Sequence, residues 1–292
     1  VAAILVFGRD GQLGQALAAL DWGGRAVRVY GRDEADLVSP APAQLIARER
    51  PQVVINAAAY TDVEGAQRDR ERAFAVNAAA PGQLAQACAQ AGAWLIHYST
   101  DYVFDGAKQD GAGRPVPYAE TDAPAPLNVY GESKLAGEQA VAATGAPHLI
   151  LRTSWVYSRA GENFVNKILA RARAGTPLKV VNDQFGAPTW ADALARATRQ
   201  AVDVLARPQT DAGALAGLYH LSAAGGGSWF DVAQEALRIS VLDVPLAPVS
   251  ATEFAGAAPR PRNSLLDSGR FAAAFGHRIG DWREDLRRCL AG

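Results

Sequence analysis

The stretch Ala2-Ala3-Ile4-Leu5-Val6-Phe7-Gly8-Arg9-Asp10-Gly11-Gln12-Leu13-Gly14 decides the fold. Its apolar half reads as a short buried strand, and a helical pattern through Gln15-Ala16-Leu17 follows. Strand, glycine turn and helix is the context in which a dinucleotide fingerprint works. Gly8 allows the tight turn. Gly11 lets backbone N–H groups approach a pyrophosphate at the helix N-terminus, where the helix dipole favours an anion, and Gly14 lets helix and strand pack closely. The spacing is G-x-x-G-x-x-G, not G-x-G-x-x-G.

Outward from this turn the alternation continues. Strands are expected at 26–30, 52–56, 94–98 and 148–157, and helices over 40–50, over 64–89 and from Tyr130 onward. Strands alternating with helical patterns predict an α/β fold, a Rossmann-type doubly wound parallel sheet. Beyond Tyr157 the alternation becomes irregular. Helices are expected over 163–174, 191–206 and 229–239, the last N-capped by Ser228, with strands at 178–181 and 217–221 and a late helical region around Phe271. Residues 1–157 are therefore read as mainly the dinucleotide-binding domain. Residues 158–292 are read as mainly a smaller C-terminal α/β substrate-binding domain, with some segments returning to the sheet.

Three places along the first half carry site chemistry. At the tip of the second strand, Arg32 and Asp33 offer both known devices: an acid binds ribose hydroxyls, and an arginine accommodates a 2′-phosphate. NADPH or NADH is the expected cofactor. Ala57-Ala58-Ala59-Tyr60, after the third strand, leaves room for a flat ligand. Asn77, inside an apolar helical stretch, needs hydrogen-bond partners and is expected to tie strand ends together.

Composition narrows the classes. With 49% apolar and 20% charged residues and a net charge of -1, the 292-residue chain has material for a core and no basic excess that would support nucleic-acid binding. No apolar run approaches the ~18 residues of a membrane span. The first residues lack a basic n-region or cleavage site. A cytoplasmic, membrane-free protein is expected, with Cys88 and Cys289 as two separate thiols and no disulfide.

Tyr130-Gly131-Glu132-Ser133-Lys134 supplies the reactive pair. On a helix, positions four apart share a face. A cation beside a phenol lowers its pKa from ~10 and makes it a better proton donor. Acidification of Tyr130 by Lys134 is therefore expected. Ser99-Thr100-Asp101 ends the fourth strand with hydroxyls in the same layer as the early glycines.

These elements occur in the order a short-chain dehydrogenase/reductase needs. Ser99-Thr100-Asp101-Tyr102-Val103-Phe104, Tyr130–Glu138, Arg152-Thr153-Ser154-Trp155-Val156-Tyr157 and Asn182–Thr189 further resemble the dTDP-4-dehydrorhamnose reductase family of the extended reductase superfamily. The resemblance runs from the first glycines to Arg262-Asn263-Ser264. It implies NAD(P)H-dependent reduction of the 4-keto group of dTDP-6-deoxy-L-lyxo-4-hexulose to dTDP-L-rhamnose, a polysaccharide precursor. It also implies Tyr130 as proton donor, Lys134 on the nicotinamide ribose and Thr100 on the keto oxygen. Cofactor contacts follow at Gly8, Gly11, Gln12, Leu13, Gly14, Arg32, Asp36, Leu37, Ala58, Ala59 and Tyr60. Asp101, Tyr102 and Trp155 are assigned to the sugar, and Asn163, Phe164, Lys167, Arg260 and Arg262 to the nucleotide half.

Some members of the family dimerise around magnesium. Gln15 stands near where an acid is expected and Asp192 is the acid that aligns further on, so no metal is assigned and a homodimer is left open. Two other readings remain at this stage. One is an epimerase or dehydratase on a nucleotide sugar, kept by Asp101 beside Thr100. The other is a non-catalytic cofactor-binding regulatory subunit, against which Thr100, Tyr130 and Lys134 stand intact.

Overall fold

Six short apolar segments make one parallel sheet, and its topology places the site. In the computed structural model, which describes residues 4–207, 211–254, 256 and 258–291, Ala2 and Ala3 of the first expected strand lie outside the described residues. The first half contains β1 (Ile4–Phe7), α1 (Gln12–Ala19), β2 (Val27–Tyr30), α2 (Ala41–Glu49), β3 (Val53–Asn56), α3 (Val63–Arg68), α4 (Arg70–Phe74), a π-turn (Ala75–Ala79), α5 (Ala80–Ala91), β4 (Trp94–Thr100), a 3-10 turn (Asp101–Val103), α6 (Val129–Ala142) and β5 (His148–Thr153). The second contains β6 (Val156–Tyr157), α7 (Phe164–Arg173), β7 (Leu178–Val181), β8 (Phe185–Gly186), β9 (Thr189–Trp190), α8 (Ala191–Leu205), β10 (Gly217–His220), β11 (Gly227–Ser228), α9 (Trp229–Ile239), β12 (Leu246–Val249), α10 (Gly269–Phe275) and α11 (Trp282–Ala291).

The sheet runs β10-β5-β4-β3-β1-β2, with every neighbouring pair parallel. Its inner strands β1 and β3 are buried along their whole length, as a sheet covered by helices requires. Ile4 and Val6 pack toward α1, α8, α10 and α11, whereas Leu5 and Phe7 pack toward α2, α5 and α6. The direction of winding reverses between β1 and β3, and ligands bind outside the strand ends at such a point. A Cβ on Gly8 would lie 2.6 Å from Ala58 N, so the turn after β1 and the turn after β3 meet there at backbone distance. The sixth strand, β10, comes from beyond residue 158. The remaining strands pair two by two, β7 with β12, β8 with β11 and β6 with β9.

Several local expectations hold. Ser228 caps α9 and forms a reciprocal capping box with Asp231. Cys88 and Cys289 are free and buried. No helix among the described residues is long and apolar enough to cross a membrane. Two expectations are corrected. The helix over 64–89 is broken at Asp69, whose carboxylate accepts the Arg72 N–H at 3.0 Å, and it widens into the π-turn that carries Asn77. The strand over 148–157 stops at Thr153. Trp155 adopts φ 48°, and Val156-Tyr157 leaves the sheet to pair with Thr189-Trp190.

Helix α6 sits against neighbouring backbone through its glycines. A Cβ on Gly131 would collide with the Tyr102 carbonyl oxygen, and one on Gly137 with the Asn77 carbonyl oxygen. Helix propensity alone favours alanine over glycine by ~1 kcal/mol. Overpacking costs roughly 1–3 kcal/mol, so the clash prevails. Gly137→Ala is expected to lower unfolding free energy in urea; a variant more stable than the parent would show that α6 has room to shift.

Candidate active site

The first cavity lies on the glycine turn. It measures ≈ 270 Å³ and is lined by Gly8, Asp10, Gly11, Arg32, Ala35, Asp36, Leu37, Ala58, Ala59, Tyr60, Arg72 and Val76. The three glycines have different causes. Gly8 adopts φ 105°, and a Cβ on Gly14 would strike the Gly8 carbonyl. At Gly11 a Cβ would meet only Gly8 O at 3.5 Å, so the protein itself leaves that place open. Bareness there keeps the start of α1 accessible to an anion. The residues thus fit a dinucleotide: backbone N–H groups at a helix start, small side chains at Ala58 and Ala59, and charges at the end of β2.

The reactive cluster stands at the carboxyl end of β4. Thr100 Oγ1 donates to Asp101 Oδ1 at 3.0 Å and accepts the Tyr102 N–H at 3.2 Å, and it lies near enough to the Tyr130 phenol to act on its ionisation. Tyr102 meets Tyr130 edge to face, with ring centroids 5.6 Å apart. Burial pushes the Tyr130 phenol up to about 12; the Thr100 hydroxyl works against this and the Asp101 charge adds to it. The expected acidification by Lys134 is therefore overturned. Lys134 Nζ turns instead to the Tyr98 carbonyl at 2.6 Å and makes no hydrogen bond with the phenol. Burial brings Lys134 down to about 8, against the raising effect of Glu138.

Beneath the lysine lies a chain of polar side chains. Ala58 N–H donates to Asn56 Oδ1 at 3.2 Å, which directs Asn56 Nδ2 to His97 Nδ1 at 3.1 Å. The other ring nitrogen, His97 Nε2, lies 3.5 Å from Lys134 Nζ. Burial and the Lys134 charge hold His97 well below its ordinary range, so it stays neutral. Asn77 does bridge elements: its side chain bonds the Tyr60 N–H and carbonyl at 2.8 and 3.0 Å and Ser133 Oγ at 3.0 Å. It ties the tip after β3 to α6.

A second cavity, of ≈ 620 Å³, opens beside Tyr102 and is lined also by Asn163, Phe164, Gln184 and Trp229. The charged residues lining it, Lys167, Arg171, Lys179 and Arg260, are all cations. A smaller space of ≈ 140 Å³ joins Gln12 to Trp155, Asn163, Phe164 and Trp229. There the Trp155 ring stacks on Trp229 at 3.4 Å and 6°, and Gly186 lies under it where a Cβ would clash.

Comparison with known proteins adds the family. The family model described as RmlD substrate binding domain matches residues 2–292. The chain is 41% identical to the dTDP-4-dehydrorhamnose reductase of Burkholderia thailandensis, covering 98% of this chain and 97% of that one. It is 42% identical to the dTDP-4-dehydrorhamnose reductase of Escherichia coli, over 98% and 96%. The chain belongs to the dTDP-4-dehydrorhamnose reductase family. Among solved structures, the Bacillus anthracis dTDP-4-dehydrorhamnose reductase in complex with NADP superposes with a TM-score of 0.90 at 32% identity, covering 99% of each chain. The Thermotoga maritima UDP-glucose 4-epimerase, at TM-score 0.80 and 19% identity, shares the fold.

Set beside this family, the site residues named from sequence divide clearly. Gly8, Gly11, Arg32, Asp36, Leu37, Ala58, Ala59 and Tyr60 line the first cavity, and Tyr102, Asn163, Phe164 and Arg260 line the second. For three others the side chain is engaged elsewhere. Leu13 buries its side chain in the core, so only its backbone can face a ligand. Gln12 spends its amide on Ser158 Oγ (2.8 Å), Asn163 Nδ2 (2.9 Å) and the Val156 carbonyl (3.3 Å), strutting the glycine turn against β6 and α7. Arg262 is exposed and does not line the cationic cavity; Arg260 does. Sequence reasoning gave no site role to Asn56, His97, Arg72, Arg171 or Lys179. The available signal was polar residues at the ends of neighbouring apolar strands, since Asn56 pairs with His97 in register.

Asp101 supplies a test of the cluster's electrostatics. Burial raises its carboxyl from 3.8 to about 6, against the opposing effect of the Ser264 and Thr100 hydroxyls, and its Oδ2 is buried without a hydrogen-bond partner. Because the folded value lies above the unfolded one, this carboxyl weakens the fold as pH rises from about 4 through about 6. Asp101→Asn removes that penalty. Its stability relative to the parent should improve by roughly 1–2 kcal/mol between about pH 5 and about pH 8. Urea unfolding at the two pH values measures this, and a pH-independent difference would mean that Asp101 ionises at no cost.

Proposed function

We propose that this chain reduces the 4-keto group of dTDP-6-deoxy-L-lyxo-4-hexulose to the hydroxyl of dTDP-L-rhamnose at the expense of NADPH or NADH. The observation that carries this reading is the gathering of Thr100, Tyr130 and Lys134 at the end of β4, with a glycine-turn cavity nearby and a cationic cavity beside Tyr102. The family membership supports the substrate class. The cationic lining suits the diphosphate of a nucleotide sugar, since guanidinium and ammonium groups form charge-assisted bonds to phosphate.

The nicotinamide, when bound, supplies a hydride to the carbonyl carbon. Everything else falls to the protein. Negative charge grows on the sugar oxygen, and Tyr130 Oη holds the proton that this oxygen takes. A phenol at about 12 is fully protonated near neutral pH, so the donor form is always present. The nearby Thr100 hydroxyl lowers the cost of the phenolate that remains. Thr100 Oγ1 currently gives its own proton to Asp101; rotating it toward the substrate would let it donate to the developing oxyanion. Lys134, while protonated, places a positive charge under the cluster and offers its remaining N–H bonds to the cofactor's ribose.

A second reading draws on one specific observation. Asp101, buried beside Thr100 with its carboxyl raised to about 6, is poised for acid–base work on a neighbouring sugar carbon, as a 4,6-dehydratase needs. The two are told apart by stoichiometry: a reductase consumes one reduced nicotinamide per sugar, a dehydratase none.

Tyr130→Phe should keep cofactor affinity and lose roughly 10²–10⁴ of turnover, read from the 340 nm absorbance with the keto sugar. Near-parental turnover would remove Tyr130 from its role. The kcat/KM profile for the keto sugar should fall as pH rises through about 8, where Lys134 gives up its proton. A profile level to about pH 9.5 would separate activity from the lysine's charge.

A further inference from the structure

Two guanidinium groups converge on one carboxylate at the rim of the glycine-turn cavity. Arg32 Nε donates to Asp36 Oδ2 at 3.3 Å, and Arg72 Nη2 lies 3.6 Å from the same oxygen. All three residues line the cavity. Asp36 is anchored in turn, because its Oδ1 accepts the Val38 N–H at 3.2 Å. Burial would raise this carboxyl, but the Val38 N–H and the two guanidinium groups outweigh it and hold Asp36 below the ordinary carboxylate range.

The geometry of the grip matters. Asp36 holds Arg32 by Nε, so the Nη1/Nη2 edge of the fork has no partner among the described residues, and the side chain is 72% exposed. Arg72 is held only at long range and keeps its other nitrogens free among the described residues. Arg9, the third guanidinium nearby, is taken up by Asp10, Asp33 and Glu34 and does not line the cavity. Arg32 leaves the tip of β2, where this fold reads the adenosine ribose. Arg72 reaches the same carboxylate from α4, beyond β3, an element the β2-tip rule does not consider.

We propose that Arg32 and Arg72 form a two-pronged clasp for the 2′-phosphate of NADPH, with Asp36 as the bracket that orients both forks, and that this clasp makes the chain prefer NADPH over NADH. A phosphomonoester carries close to two negative charges. Asp36 answers only one of the two guanidinium charges beside it, and although Asp10 on the same wall accepts the Arg32 backbone N–H at 3.2 Å, the free fork edges offer the geometry that matches phosphate oxygens. The proposal rests on the reductase reading only for the identity of the dinucleotide, since the clasp can be probed with no sugar present.

The test is calorimetric titration of the full chain with 2′,5′-ADP and with 5′-ADP. The first should bind at least about tenfold tighter, as charge-assisted bonds to a phosphate imply. Arg72→Gln should erase about tenfold of the 2′,5′-ADP affinity and leave 5′-ADP within about twofold, and Arg32→Gln should do the same. The ratio of kcat/KM for NADPH over NADH should drop in step. Equal affinity of the parent for the two fragments overturns the clasp, as does an Arg72→Gln variant that weakens both fragments alike. Absence of turnover on the keto sugar, with the fragment difference intact, would sink the reductase reading and leave the clasp standing.

Discussion

The hydrogen bond from the buried Lys134 Nζ to the Tyr98 carbonyl, 2.6 Å long, holds the active region together. It fastens α6 to the end of β4 from below, where Lys134 is 2% exposed. Four further contacts hold α6 where that bond can form. Gly131 and Gly137 let its backbone lie on the Tyr102 and Asn77 carbonyls. Asn77 bridges Tyr60 and Ser133. Glu138 grips Arg152 of β5 with paired bonds of 2.8 and 2.7 Å. A buried ion pair of this kind is weak evidence for net stability, but removing either partner strands a charge in the core. Its role here is to fix the helix's place against the sheet.

Burial also sets the electrostatic character of the cluster. Each ionisable group in it moves toward its neutral form: Tyr130 up, Asp101 up, Lys134 down and His97 down. Desolvation is the first cause in every case. Spacing of four on a helix gave Tyr130 and Lys134 a common face, but a common face does not make a contact, and the lysine spends its ammonium on a strand carbonyl. The phenol is therefore a full proton reservoir, not an acidified one. That suits a reduction, which consumes a proton at the sugar oxygen.

The two cavities differ in the way their charges are arranged. In the dinucleotide cavity the cations are bracketed by acids, so selectivity there lies in which edges of the guanidinium groups stay free. In the cavity beside Tyr102 no acid among the described residues lines the wall, although Lys167 pairs with Glu162 at 3.1 Å and Arg260 with Glu64 at 3.6 Å. The first arrangement reads a small difference between related ligands; the second attracts any polyanion of the right shape.

Local chemistry made much of this legible in the chain alone. Apolar runs ending in glycines or small residues specified the strands, the turn and the doubly wound sheet, because hydrophobic period and glycine's freedom act within a few residues. Ser228 announced its helix for the same reason. The order of motifs, from the glycines through Thr100 to Tyr130 and Lys134, identified the reductase family. What the sequence left undecided depends on groups far apart along it. That Trp155 would turn out of the fifth strand onto Trp229, that Arg72 would reach the carboxylate of Asp36, that Arg260 and not Arg262 would face the cationic cavity, and that burial would outweigh the lysine's charge at Tyr130 were all decided by tertiary packing. Desolvation and contacts between distant residues are properties of the assembled fold, and no window of neighbouring residues contains them.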